Sequence, residues 1–457
     1  MIRVFSHWVH WKTILRMVVD FLFPIAGVLL AMTFWGQADL VEVAAYATLF
    51  ALVMVVFNLW IGLYSRSQRP TAAQTRARAV LSLYLSIPIA YGLFSLLSIA
   101  NSNQRFLLLS GLGALFGTLL HRVYKRHCQP GGMIARRVLI FGAGPEALSV
   151  SEVLRKSDPD VQIVGFYPTS SETEYSVSGD LVLPCSRSLS DTARALSVHE
   201  IVVAVQEQRG GVLPLRELLD CKLFGVLVLD LARYFERELG QIRLESLRAG
   251  WLIFGEGFRQ GWSRTFVKRV FDIVVASVLL LLALPVMAVT ALLIVLEDGL
   301  PIVYRQERVG LNGRLFNVIK FRSMRRDAES DGKPRWAVSN DERVTRVGRV
   351  IRKLRIDELP QLISVLAGDM SLVGPRPERP YFVDQLTREI PYYAVRHSVK
   401  PGLTGWAQVS YHYGASVDDA VQKLQYDLYY VKNHTLFLDF VTLFETVGVV
   451  LTGKGAQ

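Results

Sequence analysis

The sequence predicts a membrane protein of α plus α/β class in three parts. These are a four-helix transmembrane bundle (1–127), a Rossmann-like parallel α/β domain (128–263), and a monotopic α/β domain (264–457) with a reentrant membrane helix broken at Pro285. Three observations carry this reading. Four apolar runs fill the first quarter of the chain. Strand and helix patterns alternate from Arg136 onward behind a glycine-rich turn. A fifth apolar run, 270–296, has a proline near its middle and charges at both ends.

Composition agrees. A chain of 457 residues has a prior of about three domains. It is 51% hydrophobic with a mean hydropathy of +0.30, above the range of soluble proteins. The net charge of +11 suits anionic lipid or a phosphorylated substrate. No zinc-knuckle, RRM or basic-zipper pattern accompanies it, so no nucleic-acid partner is expected. Cys128, Cys185 and Cys221 are far apart and odd in number, as for reduced thiols facing the cytosol, with neither metal spacing nor a disulfide framework.

The apolar runs 14–35, 41–63, 80–100 and 104–120 each approach the ~20 residues needed to span a bilayer. Basic residues alternate between the two sides. Arg3, Lys12 and Arg16 lie before or at the start of the first run, Arg66, Arg69, Arg76 and Arg78 fill the second loop, and Arg122, Lys125, Arg126, Arg136 and Arg137 follow the fourth. Both ends of the bundle therefore face the cytoplasm. No small-residue cleavage site follows the first run, which is expected to stay as an anchor. Asp20 and Pro88 are read as tolerated near an interface or a kink, and not as a transport path.

In the middle domain RRVLIFGAG is a buried strand running into Gly142-x-Gly144-x-x-Ala147 and a helix. VQIVGFY, HEIVVAV and FGVLVLD supply further parallel strands. The acid that holds a ribose at the end of the second strand is replaced by Tyr167-Pro168, so a degenerate regulatory or oligomerising domain is the favoured reading.

The fifth run cannot be a plain span without placing Lys320, Arg322, Arg325 and Arg326 outside, against the charge rule. A break at Pro285 would leave two halves too short to cross; a core helix or a true span is the competing reading. Asp272 is expected to pair with Lys268 or Arg269. Beyond it a hairpin turns about Leu311-Asn312-Gly313, and alternation places Lys320 and Arg322 on one face. The polar stretch 325–345 is read as a loop able to close over substrate, and His397 as packed or solvated and not a base. The run 436–451 is read as a helix on the membrane or in the core.

Residues 352–380 are the densest stretch. Asp357 is read as the N-cap of a helix with Pro360 in its first turn, and Leu359, Leu362, Ile363 and Leu366 are read as its buried face, ended by Gly368. Gly374-Pro375-Arg376-Pro377 then stiffens the backbone on both sides of a guanidinium. Carboxylate, cation and helix N-terminus suggest phosphoryl chemistry.

Taken together, Tyr304-Arg305-Gln306-Glu307-Arg308-Val309-Gly310, Lys320-Phe321-Arg322-Ser323-Met324, Asp357-Glu358-Leu359-Pro360-Gln361-Leu362, Gly368-Asp369-Met370-Ser371, Gly374-Pro375-Arg376-Pro377 and Pro401-Gly402-Leu403-Thr404-Gly405-Trp406 closely resemble the bacterial sugar transferase family, the monotopic polyprenyl-phosphate hexose-1-phosphate transferases. The resemblance covers about 264–457. The long form of that family starts exopolysaccharide, capsule or O-antigen repeat units, and the stretch 411–416 is similar to undecaprenyl-phosphate glucose phosphotransferases. The resemblance implies a two-step reaction. Asp357 attacks the β-phosphorus of a UDP-hexose and releases UMP, and undecaprenyl phosphate then takes the sugar phosphate from the covalent phospho-aspartyl intermediate. It implies Glu358 as base or metal-orienting partner, Mg²⁺ held by Asp357 and Glu358, and Lys320, Arg322, Arg352 and Arg376 as phosphate-binding residues. It implies a multi-pass protein of the bacterial inner membrane, in contact with membrane lipid, with its site on the cytoplasmic face. A homo-oligomer is compatible with it.

Three other readings compete: a non-catalytic scaffold or regulator of polysaccharide assembly, a nucleotide-sugar oxidoreductase or epimerase using the middle domain, and a transporter built on the four spans. The sequence does not fix the hexose, with glucose and galactose both open.

Overall fold

A computed structural model of the chain describes residues 2–4, 7–9, 11–35, 40–61, 72–96, 136–157, 161–169, 172, 175–184, 187–205, 213–247, 257–258, 261–325, 343–411, 414 and 416–452. Helices cover the first three apolar runs, at Trp11–Trp35, Leu40–Trp60 and Ala72–Leu96; the expected fourth span, 104–120, lies outside the described residues. So does most of the expected closing loop at 325–345. Two compact units emerge, one of 1–17, 52–90 and 253–457, the other of 18–51 and 91–252.

The second unit contains the expected parallel sheet. Strands β3 (Arg136–Phe141), β4 (Val161–Tyr167), β5 (Glu200–Val203) and β6 (Leu227–Asp230) lie in the order β4-β3-β5-β6, all parallel; β1 (Ile2–Val4) and β2 (His7–Val9) form an antiparallel pair in the other unit. Strand alternation gives the sheet a core on each face. Val138, Ile140 and Val202 pack with Ala147, Val150 and Tyr234, whereas Leu139, Phe141 and Ile201 pack with Leu189, Leu218 and Cys221. Gly142, at φ +114°, ends β3 in a conformation that a side chain would strain.

The first unit is organised on the helix Trp262–Asp298, at 37 residues about 55 Å long. The break expected at Pro285 is not seen: the helix continues through it. A proline removes one N–H and crowds one carbonyl, and here the turns on both sides carry the helix past that local cost. Among the described residues this is the one helix long and apolar enough to cross a membrane, and most of its apolar side chains are exposed; Asp272, Ala276, Thr290 and Ile294 are the buried ones. Asp272 pairs with Lys268 as expected (3.0 Å), and Lys268 also meets Asp439 (3.0 Å) of the helix Leu436–Thr452.

The hairpin of β7 (Val303–Val309) and β8 (Leu315–Phe321) turns at Leu311–Gly313, as read. Two further strands, β9 (Ser371–Val373) and β10 (Gly402–Thr404), pair in parallel. Gly374 sits where they touch, and a Cβ there would collide with the Lys400 carbonyl and the Gly402 N–H. Gly374→Ala is expected to lower stability by about 1–3 kcal/mol, readable as a lower denaturation midpoint.

The short helix Gln361–Ala367 departs from the sequence reading in two ways. Pro360, and not Asp357, stands at its N-cap; Asp357 lies in the preceding 3-10 turn Ile356–Glu358 and makes no cap bond. Arg355, in left-handed backbone (φ 58°), redirects the chain first, and the Glu358 N–H closes on the Arg355 carbonyl (3.3 Å). The buried face is Gln361, Leu362, Ser364 and Val365, while Ile363 is exposed. Gly368 ends the helix as expected, and Arg269 caps the carbonyls of Val365 (2.6 Å) and Leu366 (2.7 Å).

Candidate active site

Asp357 and Glu358 are neighbours on one tight turn with unlike surroundings. Asp357 is buried, and its Oδ1 has no hydrogen-bond partner. Glu358 Oε1 accepts from Lys320 Nζ (3.2 Å) at the end of β8 and from the Arg376 guanidinium (2.9 Å) in the proline-flanked loop, with Arg355 at 3.9 Å. Two separate segments, β8 and the proline-flanked loop, thus converge on the turn that carries the two carboxylates.

Burial first, and the adjacent Glu358 charge second, push the Asp357 carboxyl above its ordinary value, against the pull of Lys320, Arg355 and Arg352. For Glu358 burial acts in the same upward direction, but Arg376, Lys320 and Arg355 together outweigh it and hold the acid well below the carboxylate range. The two acids therefore oppose each other in their effect on stability. The contribution of Glu358 is complete above its unfolded value and is lost as pH falls through the depressed one. Ionisation of Asp357 costs stability as pH rises through its raised value. Asp357→Asn is expected to leave the protein at least as stable at about pH 7, and Glu358→Gln to destabilise it there; thermal melts from about pH 4 to 8 check the opposite signs.

Of the residues singled out from sequence, Asp357, Glu358, Lys320 and Arg376 come together. Arg352, in the helix Arg346–Lys353, lies near enough to act on the Asp357 charge. Arg322 is not brought to the cluster. Its backbone continues the hairpin, with the Arg322 N–H donating to the Ile302 carbonyl (2.9 Å), but its side chain goes to the end of the long helix. There it donates to the carbonyls of Asp298 (3.0 Å) and Gly299 (2.6 Å) and pairs with the Asp298 carboxylate (3.2 Å). His397 is packed: burial, then Arg396, lowers it to about 4, and its Nε2 has no partner.

Sequence reasoning missed Arg396. Buried, it donates to the Arg376 carbonyl (3.0 Å) and to the Tyr393 hydroxyl (2.7 Å) and is paired with buried Asp427 (2.8 Å). It holds the backbone of the residue whose guanidinium reaches Glu358. Arg308 braces the same loop at the Pro377 carbonyl (3.1 Å), and Tyr430 at the Val373 carbonyl (2.9 Å).

The donor set suits a hard cation in part. Among the described residues no three His, Cys, Asp or Glu side chains gather, so an all-protein metal cage is not formed. Two adjacent carboxylates, one with an unpaired buried oxygen, match Mg²⁺ bound jointly with substrate phosphates.

A carboxylate oxygen left open beside fixed cations is an arrangement compatible with phosphate-group transfer. Residues 263–453 match the model of the bacterial sugar transferase family. The chain is 30% identical over 419 residues to the UDP-glucose:undecaprenyl-phosphate glucose-1-phosphate transferase of Escherichia coli (strain K12), covering 89% of this chain and 88% of that relative. It is 45% identical over 242 residues to a UDP-N-acetylgalactosamine-undecaprenyl-phosphate N-acetylgalactosaminephosphotransferase of Aeromonas hydrophila, covering 53% of this chain and 56% of the relative. With the undecaprenyl-phosphate glucose phosphotransferase of Komagataeibacter xylinus it shares 47% over 186 residues, 39% of this chain and 35% of the relative. The chain belongs to the bacterial sugar transferase family.

Proposed function

We propose that the protein transfers a sugar 1-phosphate from a UDP-sugar to undecaprenyl phosphate and so starts the assembly of a polysaccharide repeat unit. The observation that carries this is the buried, unpaired Asp357 Oδ1 beside a Glu358 that already holds Lys320 and Arg376. Asp357 attacks the β-phosphorus; the bond from that phosphorus to the bridging oxygen breaks, and UMP leaves with the oxygen. An oxygen of undecaprenyl phosphate then attacks the same phosphorus, the Asp357–phosphorus bond breaks, and the carboxylate is regenerated.

Lys320 and Arg376 orient the diphosphate and take up charge as it develops on the leaving phosphate, with Arg352 adding positive potential. Glu358, held strongly ionised, is a weak proton acceptor and suits the fixing of cations better than the work of a base. Mg²⁺, held by Asp357 and Glu358 with the substrate phosphates, would supply charge neutralisation. The exposed apolar side chains of Trp262–Asp298 support lipid contact, where a lipid head and a soluble nucleotide meet. The basic residues flanking the apolar runs support a multi-pass inner-membrane location with the site on the cytoplasmic face.

The test is donor trapping. The full chain in detergent receives Mg²⁺ and a panel of UDP-sugars without lipid, and the intact protein is weighed. A sugar-phosphate adduct with UMP release is expected and identifies the sugar. Product formed only when undecaprenyl phosphate is present, with no adduct from any donor, would mean direct transfer. No turnover in either case would favour a scaffold.

A further inference from the structure

The Gly142-x-Gly144-x-x-Ala147 turn is a sequence signature that the transfer reaction leaves unused. Such a turn ends a strand, opens a helix and aims successive backbone N–H groups at one point, where dinucleotide-binding folds receive a pyrophosphate. Here that point is filled from within the chain. The Glu172 carboxylate accepts from Ala143 N (3.1 Å to Oε1, 3.0 Å to Oε2) and from Gly144 N (3.1 Å to Oε1). It accepts as well from Thr169 N (3.0 Å to Oε2), just past the end of β4. A Cβ on Gly144 would stand 3.3 Å from Oε1, close enough that the carboxylate would have to shift by a few tenths of an ångström. Ser176 N bonds the Ala143 carbonyl (2.9 Å), fastening the segment beyond Glu172 to the same turn.

We infer that Glu172 is a built-in surrogate for a ligand phosphate, and that the middle unit accordingly takes no dinucleotide through this turn. The acid matches what the turn offers: one negative charge and two acceptor oxygens satisfy amides from two strand ends. A pyrophosphate would have to displace the carboxylate and then lie beside it, like charge against like. The end of β4 points the same way, since Tyr167-Pro168 replaces the acid that would hold a ribose. The Rossmann-like unit is thereby closed by its own side chain, and its role does not depend on nicotinamide chemistry. The oxidoreductase or epimerase reading requires this turn to be open.

Hydrogen exchange on the full detergent-solubilised chain, read on peptides covering 142–157 and 161–169, tests this locally and apart from any UDP-sugar bound in the C-terminal unit. In the wild type, NAD⁺, UDP and sodium pyrophosphate are expected to leave exchange at these peptides unchanged. Glu172→Ala is expected to speed exchange of the turn amides by about tenfold or more, and sodium pyrophosphate to slow it again in the variant alone. Glu172→Gln, which keeps shape and one acceptor, is expected to fall between and serves if the alanine variant does not fold. Protection of the wild-type turn by NAD⁺ or pyrophosphate would overturn the inference. So would exchange that neither variant alters.

Discussion

Asp357→Asn is expected to abolish the sugar-phosphate adduct and to lower turnover by about 10⁴-fold or more, the scale seen when a nucleophile is removed. The amide keeps the shape of the carboxyl but cannot become the anionic oxygen that the proposed attack needs, and it adds no charge to a buried position. The fold should therefore survive, which separates chemistry from structure: the variant should melt no lower than the wild type while showing no mass shift with any UDP-sugar. A variant that melts normally and still forms the adduct would remove Asp357 from the reaction.

Arg396→Ala is expected to have the largest effect on stability, a loss of about 3–5 kcal/mol. Its guanidinium is buried against Asp427, whose carboxyl burial raises to about 6 even with Arg396 beside it. Removing the cation strands that acid and frees the Arg376 carbonyl. Denaturant unfolding measures the loss. A double variant, Arg396→Ala with Asp427→Ala, should recover part of it, because the uncompensated charge is then gone. Recovery of stability without recovery of turnover would separate the cost of a stranded charge from the loss of loop positioning.

Much of this site was legible because its parts carry local signals. The Asp357-Glu358 pair, the prolines around Arg376 and the alternation that points Lys320 inward are each readable within a few residues. What failed was contextual. Strand alternation says which face Arg322 lies on and not what it meets there, and the carbonyls that end the long helix take its side chain. Asp357 looks like a cap because acids before apolar periodicity usually are; the left-handed Arg355 that releases it has no sequence mark. Arg396 acts through one backbone carbonyl, and its partner Asp427 lies in the distant helix Val417–Asn433. Glu172 sits in a polar connection without periodicity, so only the folded chain reveals which amides it meets. The parallel strands β3–β6 were plain from their apolar runs, whereas the break at Pro285 assumed that one lost bond decides the course of a long helix.

The bracing of the Gly374–Pro377 loop also bears on timing. The segment that carries Arg376 pairs with residues of β10, and its backbone leans on Arg396, itself paired with Asp427, and on Tyr430, anchored by Asp439 (2.6 Å). A nascent chain that has emerged only as far as the Asp357-Glu358 turn has the two carboxylates but none of these supports. During synthesis this loop is thus expected to stay unbraced until residues as far as Asp439 have emerged, well after the long apolar helix that precedes it.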